Sequence, residues 1–347
     1  MISFVNDYSE GAHERIMEVL LKTNREQTAG YGMDEYCTEA RQLIMNQLHH
    51  EESQVHFLVG GTQTNMTVIA AFLRPHQGVV SADSGHVNVH ESGAIEATGH
   101  KVLALPSKDG KINAQEIRTC LQDHFGNANF EHMVQPGMVY ISDPTEVGTI
   151  YTKKEITDIS VVCQENEIPL YVDGARLGCA LTCPENDLTL SDLACLTDAF
   201  YIGGTKMGAL FGEALVINNP RYGKDFRYIL KQRGGMLAKG RLLGIQFAEL
   251  FRDSLYFDLA RHANEMAQKL QKEIGSMGYS FAFHSPTNQI FPIFSDKLLE
   301  EIGQKYKYEY WARIDQNSSM IRLCCSWATE EKNVDAFLSD LKKLSNK

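Results

Sequence analysis

The chain has 347 residues, of which 43% are hydrophobic, and a formal net charge of −11 at pH 7. This length and composition can bury a sizeable core, either as one large α/β domain with a smaller appendage or as two to three domains. The negative charge repels phosphate backbones and anionic lipid surfaces, which argues against nucleic acid and membrane partners.

Strands and helices alternate along the first two thirds of the chain. After a short arm, residues 4–11, apolar spacing predicts a helix over 13–21, and further helices over 64–73 and 88–97. Such alternation predicts a mainly parallel sheet covered on both faces, whose last strand returns antiparallel. Short apolar runs predict the strands, at residues 54–59, 78–82, 100–105, 138–142, 169–173, 199–203 and 214–217.

The remaining third predicts a smaller domain. Helices that join at Arg233-Gly234-Gly235 are followed by one long amphipathic helix over 254–277, and residues 279–344 alternate short strands with two helices. No repeat or Pro-rich linker appears, so the parts should be closely joined. We expect a large domain over residues 1–252 and a small α+β domain over residues 253–347.

The first residues and the cysteines predict a cytoplasmic protein. The start, MISFVNDYSEG, has no positive cluster followed by an apolar core, so we expect no signal peptide. No apolar run approaches the ~20 residues of a membrane span. Eight scattered cysteines without C-x-x-C spacing predict reduced, mostly buried thiols. No histidine completes a metal site with Cys179, Cys183 and Cys195, so we expect no metal.

One lysine follows the strand predicted at 199–203. The run AFYIGGTKMGALFG places Lys206 after two glycines and among small and apolar residues. Partial desolvation lowers the pKa of a lysine, and an uncharged amine can attack a carbonyl and form a Schiff base. On this segment alone, a surface lysine in a strand-to-loop turn explains the pattern equally well.

An acidic residue ends the strand before it. The run PLYVDGAR places Asp173, Gly174 and Arg176 at this strand end. Pyridoxal phosphate needs such an aspartate for its pyridinium nitrogen and a lysine for its aldehyde. Alone, Asp173 is typical of a helix N-cap or turn, and Arg176 of a surface salt bridge. The aspartate and Lys206 together favour a pyridoxal phosphate site.

The segment GGTQ, residues 60–63, leads from a predicted strand into a helix. Unpaired backbone N–H groups at a helix N-terminus, made accessible by glycines, bind a phosphate dianion. A single strand-GGT-helix pattern is a weak signal. With the lysine and the aspartate downstream, it predicts a phosphate site at Gly61, Thr62 and Gln63.

These motifs together resemble one known family. VDGARLG, followed further along by YIGGTKMGALFGEA, resembles the threonine aldolase and aromatic amino acid β-eliminating lyase family, which belongs to fold type I of the pyridoxal phosphate enzymes. The resemblance extends from FVNDYSEG to MIRLCCSWAT, and GGTK with GEA is similar to the low-specificity threonine aldolases. It implies an aspartate aminotransferase-like α/β fold, with a mainly parallel sheet in the large domain and a small C-terminal α+β domain.

The resemblance assigns roles around the cofactor ring. HVNVHESGA is similar to the family's H-x-x-x-x-E-x-G-A, which implies that His86 stacks on the pyridine and serves as a base. His90 lies one helical turn further and is expected to line the same pocket, and Glu91 to hold His86 or to cap a turn. A capping or packing histidine is the alternative for His86. Some aldolases of the family have a histidine near residues 143–146, where this chain has DPTE, so base duties fall to His86, a water or another group.

The substrate carboxylate has three candidate ligands. Arg322 lies inside the apolar run MIRLCC, where a charged side chain needs a partner such as a carboxylate. The resemblance implies that Arg322 and Arg176 share the substrate's α-carboxylate. Asn6 and Asp7 stand where the family usually has a serine and an aspartate, and Asn6 is the third candidate.

Two further segments imply a second chain at the site. Tyr31 lies in a loop that resembles the family's YG-x-D loop, which reaches towards the cofactor phosphate of the partner chain. Lys231 lies in a region that, in the family, also approaches the phosphate of the neighbouring chain. A glycine turn and a solvated helix charge are the alternatives. The resemblance implies a homodimer or homotetramer with active sites at the subunit interface.

Three functions therefore stand open. The first is a pyridoxal phosphate-dependent lyase that cleaves the Cα–Cβ bond of L-threonine or a related β-hydroxy-α-amino acid to glycine and an aldehyde. The second is a β-eliminating lyase acting on serine or an aromatic amino acid. The third is a nucleotide- or phosphate-binding α/β protein without Schiff-base chemistry.

Overall fold

The computed structural model describes residues 1–345 of the chain. Its strands are β1 (Ile2–Ser3), β2 (Gln54–Leu58), β3 (Gln77–Ala82), β4 (Val102–Leu105), β5 (Gln135–Ser142), β6 (Leu170–Asp173), β7 (Ala199–Gly203), β8 (Glu213–Ile217), β9 (Gln289–Ile290), β10 (Ile293–Ser295), β11 (Tyr306–Lys307), β12 (Glu309–Arg313) and β13 (Ser318–Cys324). Its α-helices are α1 (Glu14–Lys22), α2 (Glu35–Leu48), α3 (Gly61–Phe72), α4 (His86–Val89), α5 (Ala114–Phe125), α6 (Lys153–Glu165), α7 (Leu177–Thr182), α8 (Leu190–Leu196), α9 (Pro220–Gly223), α10 (Phe226–Gln232), α11 (Arg241–Phe251), α12 (Leu255–Ser276), α13 (Asp296–Ile302) and α14 (Glu331–Ser345). Three short 3-10 helices cover Glu96–Thr98, Phe130–His132 and Arg252–Ser254.

The central sheet has seven strands in the order β2-β8-β7-β6-β5-β3-β4. Strand β8 runs antiparallel to both of its neighbours, and the other pairs are parallel. The mainly parallel sheet and the antiparallel return predicted from the sequence are therefore confirmed. Parallel strands bring their carboxyl ends to one edge, so β3, β5, β6 and β7 direct their following loops to the same place.

Helices cover both faces of this sheet, as its continuous apolar strands predict. Along β5, Val139 and Ile141 pack into a core with residues of α2, α6 and α11. The alternate residues Met138 and Tyr140 pack on the other face with α3 and α10.

Three helices begin with a capping box, in which an Asn or Thr and an acidic residue three positions later satisfy each other's backbone N–H. These pairs are Asn113–Glu116, Thr152–Glu155 and Thr189–Asp192.

The C-terminal part of the chain forms a second, antiparallel sheet of β10, β13 and β12, with β9 also paired to β13. Its core joins β9, β10 and β13 to α13, α14 and the second half of α12, whereas the first half of α12 packs on the large core. Strand β1 pairs in parallel with β11, and Phe4 is buried in the C-terminal core. The division at residues 252 and 253 stays a prediction.

The helix predicted over 88–97 is wrong as one continuous element. Helix α4 ends at Val89, and only the 3-10 turn Glu96–Thr98 follows it. Between them, Ser92 and Gly93 have positive φ angles of 52° and 74°. An α-helix of L-residues cannot continue through such left-handed conformations, so the chain turns there.

No helix among residues 1–345 is long and apolar enough to cross a membrane. Six cysteines are buried, Cys120 is partly buried and Cys195 is exposed, which confirms mostly buried thiols, and all eight are unpaired.

Candidate active site

Two cavities meet around Lys206 at the carboxyl edge of the central sheet. The first has a volume of about 200 Å³ and the second about 280 Å³. Four residues line both, namely His86, Glu146, Arg176 and Lys206. The first cavity reaches the N-terminus of α3 and Asp173, and the second reaches Arg322 and the rim residues Tyr8, His90, Glu309 and Trp311.

Lys206 follows β7 on a turn that glycine makes possible. The backbone N–H groups of Gly204 and Thr205 donate to the Gly212 carbonyl at 2.9 and 3.1 Å. A Cβ at Gly204 would meet the Phe247 ring at 2.8 Å, so no side chain fits there. The two glycines seen in the sequence therefore let the turn pack closely beneath the lysine.

The Lys206 amine lies in a mixed electrostatic environment. Burial and the charge of Arg176 lower the pKa of Lys206, while the carboxyl groups of Asp7, Asp173 and Glu213 oppose this shift. Burial also raises the pKa of Glu213 to about 8, although this residue accepts hydrogen bonds from the same turn. The desolvated amine inferred from the sequence is therefore present in the structure.

Asp173 is buried at the end of β6 and receives four hydrogen bonds. Its Oδ1 accepts from the Tyr201 hydroxyl at 2.5 Å and from the Ala175 N–H at 3.0 Å, and its Oδ2 accepts from Tyr140 at 2.7 Å and Asn65 at 2.9 Å. Burial raises the pKa of Asp173, but the His86 charge and these hydrogen bonds outweigh it, so the pKa lies below the ordinary value. The carboxyl group is held as an anion in the cavity wall.

A hydrogen-bonded relay connects Asp173 to His86. Asn65 Nδ2 also donates to Glu91 Oε1 at 2.7 Å, and the same oxygen lies 2.8 Å from His86 Nδ1. Burial lowers the pKa of His86, but Glu91 and Asp173 outweigh it, and the net shift is upward. Glu91 therefore holds His86. The ring of His90 lies 5.5 Å from that of His86 and lines only the second cavity.

The first turn of α3 faces the first cavity without a side-chain cap. Gly61 and Thr62 line this cavity, whereas Gln63 does not and contacts the Val59 N–H and the Arg233 carbonyl, both at 3.4 Å. The unpaired N–H groups at a helix N-terminus, together with the helix dipole, favour an anion, and α3 has 12 residues. The structure thus brings the predicted phosphate-binding segment to Lys206.

The two arginines differ in how far their guanidinium groups are occupied. Arg176 donates to both oxygens of Asp7, at 2.6 and 3.0 Å. Asp7 is fully buried and also accepts from Asn288 at 2.8 Å. Burial raises the pKa of Asp7, yet the charges of Arg176 and Lys206 lower it to about 2.

Asn6 lines neither cavity, and its Oδ1 instead accepts from the Tyr8 N–H and the Ser9 hydroxyl in a local turn.

Arg322 retains an unused donor. Its Nη1 donates to Gln289 at 3.0 Å and its Nη2 to the Val5 carbonyl at 3.1 Å, and Nη2 also pairs with Glu309 across the β12–β13 ladder. Its Nε is buried and has no hydrogen-bond partner among residues 1–345. The guanidinium carbon lies 5.4 Å from the centre of the Trp311 ring. A buried, unpaired donor beside a cavity is typical of a ligand site.

The comparisons with known proteins agree with this arrangement. The family model of the beta-eliminating lyases matches residues 9–297. The chain belongs to the beta-eliminating lyase family. A low specificity L-threonine aldolase of Pseudomonas sp. is 30% identical to this lyase, over 98% of the chain and 96% of the relative.

Solved structures place this lyase in fold type I. A threonine aldolase of Leishmania major is 46% identical, with a TM-score of 0.97 over 99% of this chain and 100% of that one. The histidinol-phosphate aminotransferase of Clostridium acetobutylicum has a TM-score of 0.75 over 100% of this chain and 99% of that one. At 13% identity the latter shows the fold alone. The resemblance inferred from the sequence motifs and its fold class are both confirmed.

The lyase depends on pyridoxal phosphate, as its family does, and its cavity fits this cofactor. The uncapped end of α3 offers donors for a phosphate, the ionised Asp173 offers a partner for the pyridinium nitrogen, and Lys206 offers a desolvated amine for the aldehyde. His86 lines the wall between these groups. The chemistry of the residues present therefore matches the three functional groups of the cofactor.

Two predicted residues of this lyase lie away from Lys206. Tyr31 and Lys231 line neither of the two cavities, and the Lys231 Nζ instead lies 4.4 Å from the centre of the Tyr31 ring. Both residues line a separate cavity of about 860 Å³ together with Met33, Arg227 and Tyr228. Their expected role at a neighbouring chain stays a prediction.

Sequence reasoning missed several residues of the site. It gave no role to the buried tyrosines around Asp173, to Asn65, to the Arg176 partner Asp7, or to Glu213 and Glu309. The tyrosines carried a usable signal, because Tyr140, Tyr171 and Tyr201 each stand two residues before the end of their strand. Glu213 lies in the GEA motif that supported the family resemblance, but that motif gave it no role, and Glu309 carried no signal because an isolated glutamate in a strand is not distinctive.

Proposed function

We propose that this lyase cleaves the Cα–Cβ bond of L-threonine or a related β-hydroxy-α-amino acid, giving glycine and an aldehyde. The observation that carries the proposal is the position of the partly buried Lys206 amine, between a cavity suited to pyridoxal phosphate and one with an unsatisfied arginine. The relatives named low-specificity L-threonine aldolase, which match 98% of the chain at up to 30% identity, support this substrate class.

The first cavity would hold the cofactor. The first turn of α3 would bind its phosphate, Asp173 its pyridinium nitrogen and Lys206 its aldehyde, with His86 against the ring. When bound, pyridoxal phosphate supplies an electron sink for the electron pair released at the substrate's Cα. Four hydrogen bonds keep Asp173 ionised, and this anion would favour the protonated pyridinium that makes the sink effective.

The second cavity would orient the substrate. The unpaired Nε of Arg322 supports this residue as the main ligand of the α-carboxylate, with the Arg176 charge close by. A carboxylate held at a fixed point restricts rotation about the Cα–N bond. The bond placed perpendicular to the ring is the one that breaks, so this orientation would select Cα–Cβ cleavage over loss of the Cα hydrogen.

Incubation of the purified lyase with the four threonine stereoisomers tests the proposal, with aldehyde and ammonia measured together. We expect an aldehyde and glycine in equal amounts from at least one L-isomer, with no ammonia. Ammonia and a keto acid from serine or an aromatic amino acid would instead support β-elimination. A protein that gains no borohydride-stable adduct with pyridoxal phosphate would contradict both.

We further propose that the lyase works as a homodimer or homotetramer with shared sites. The exposed apolar residues Tyr31, Met33 and Tyr228, which are 46%, 64% and 78% exposed, support a second copy at this surface. A cytoplasmic location is proposed from the free cysteines.

A further inference from the structure

The loop after β5 carries an acidic group that has so far been given no role in binding the cofactor or the substrate carboxylate. Glu146 lines both cavities, next to His86, Arg176 and Lys206. It is therefore positioned where a substrate joined to the cofactor would be in reach. The other acidic residue of this loop, Asp143, lines neither cavity, and its Oδ1 accepts the Tyr151 N–H at 3.2 Å.

One carboxyl oxygen of Glu146 is held and the other is free. Oε1 accepts hydrogen bonds from the Ser142 hydroxyl at 2.7 Å and from the His86 backbone N–H at 2.9 Å. Oε2 is shielded from solvent and has no hydrogen-bond partner among residues 1–345. A buried oxygen without a partner is unfavourable in a folded protein, and a donor from a bound ligand would satisfy it.

The substrate class supplies such a donor. A β-hydroxy-α-amino acid carries its O–H group directly on Cβ, and this proton must leave as the Cβ–O bond becomes a carbonyl. His86 is a weaker candidate to take it, because its Nδ1 is already hydrogen-bonded to Glu91 and its raised pKa favours the protonated ring, which cannot accept a proton. Burial raises the pKa of Glu146, which makes its anion a stronger base than an ordinary glutamate.

We propose that Oε2 of Glu146 accepts the proton of the substrate's β-hydroxyl group as the Cα–Cβ bond breaks. This inference rests on the proposed aldol cleavage. The O–H electron pair becomes the second C–O bond of the aldehyde, and the Cα–Cβ electron pair stays with the glycine fragment. Cα then takes up one proton and Glu146 releases one, so the proton count balances over a turnover.

The Glu146→Gln variant tests the proposal, since it keeps the size of the side chain and removes the proton-accepting oxygen. In cofactor-loaded enzyme we expect kcat for L-threonine cleavage to fall about 10²- to 10⁴-fold. The exchange of the glycine α-hydrogen with D₂O, followed by NMR, should stay near the wild-type rate because glycine has no hydroxyl group. The absorption spectrum of the bound cofactor should also be unchanged.

Two further variants separate chemistry from folding. Asp143→Asn changes an acid on the same loop that lies outside both cavities, and it should retain wild-type cleavage. Glu146→Ala should lose cleavage and regain part of it with added formate, which supplies a small carboxylate in place of the missing one. Rescue by formate would not occur if Glu146 only held the loop in place.

The outcomes are distinct. Wild-type cleavage by Glu146→Gln, an equal loss of glycine exchange, a shifted cofactor spectrum, or equal losses in Asp143→Asn would each overturn the role of Glu146. A wild-type enzyme that exchanges the glycine hydrogen but cleaves no threonine isomer would contradict the proposed function instead. The wild type is measured first, so the two failures cannot be confused.

Discussion

Lys206 combines two properties that seldom occur together in a lysine, a partly buried amine and a nearby arginine charge. Both lower its pKa, and three carboxyl groups limit the shift. Such an amine is uncharged more often than a surface lysine and can attack an aldehyde. The same residue should therefore control both cofactor attachment and activity.

Replacing Lys206 with alanine should abolish the covalent adduct with pyridoxal phosphate and lower threonine cleavage by about 10³-fold or more. Mass spectrometry of a borohydride-treated digest measures the adduct directly. Lys239→Ala, at an exposed position outside both cavities, is the matched control and should keep the adduct. An adduct of normal yield elsewhere in Lys206→Ala would show that another amine captures the cofactor.

Asp7 and its neighbour Asn6 should differ sharply in how much their side chains contribute to folding stability. Asp7 is fully buried and carries both hydrogen bonds of Arg176, whereas Asn6 closes a local turn near the surface. Removing one partner of a buried ion pair leaves the other charge uncompensated, so Asp7→Ala should lower the free energy of unfolding by about 3–5 kcal/mol. Asn6→Ala should cost about 1 kcal/mol or less. Urea unfolding of both variants checks this, and equal losses would mean that the Asp7–Arg176 pair adds little.

At the scale of elements, the strand ends explain which parts of the site were predictable. Asp173, Gly203 and the GGT segment follow apolar runs, and parallel strands place such ends together, so their meeting could be inferred from the order of motifs alone. The donors around Asp173 required the register between strands. Tyr140 and Tyr171 are direct partners in the β5–β6 ladder, and this pairing is a tertiary property that no local pattern states.

The arm and the α4 region were less predictable for different reasons. Asp7 meets Arg176 across 169 positions of sequence, so no local spacing could indicate the pair. The predicted helix at 88–97 had suitable apolar spacing, but left-handed residues at Ser92 and Gly93 end it early. That turn leaves Glu91 buried and in contact with His86, so the departure from the helix is part of how the site is built.

Strand β2 and helix α10 meet at a buried histidine. The ring of His56 lies 4.9 Å from that of Phe226, and burial, with lesser effects from Arg227 and Arg41, lowers the pKa of His56 from 6.5 to about 3. Above pH 6.5 the ring is neutral in both the folded and the unfolded chain. As the pH falls from 6.5 towards 3, only the unfolded chain takes up this proton, so folding stability decreases.

We expect His56 to lower the free energy of unfolding by about 1.4 kcal/mol for each unit by which the pH falls within this window. His56→Phe keeps an aromatic ring against Phe226 and should flatten the acid side of the stability curve by that slope. Denaturant unfolding between pH 4.5 and pH 7.5, a range chosen to span about three units, measures the difference. His132→Asn, at an exposed position, is the control and should leave the slope unchanged. A parallel curve for His56→Phe would mean that His56 is protonated in the folded chain.

At the scale of the whole molecule, the two cavities around Lys206 are built by one chain, yet two predicted phosphate ligands lie elsewhere on its surface. Tyr31 and Lys231 contact each other beside exposed apolar side chains. In a symmetric dimer, one surface patch meets its own copy, so each chain would give these residues to the other chain's site. The arrangement can therefore be tested in dimers that combine two chains with different substitutions.

Hybrids of Lys206→Ala with Lys231→Ala chains make that test. In a mixed dimer, the site formed by Lys206 of one chain and Lys231 of the other is intact, while the second site carries both defects. Random pairing makes half of the dimers mixed, each with one intact site of two, so the unfractionated mixture should reach about a quarter of the wild-type activity and the isolated hybrid about half. Co-expression with two affinity tags isolates the hybrid, and ultracentrifugation confirms its size. If the hybrid is no more active than the average of its parents, Lys231 acts within its own chain or has no role in the site, because only a residue given to the partner can complement a defect in the partner.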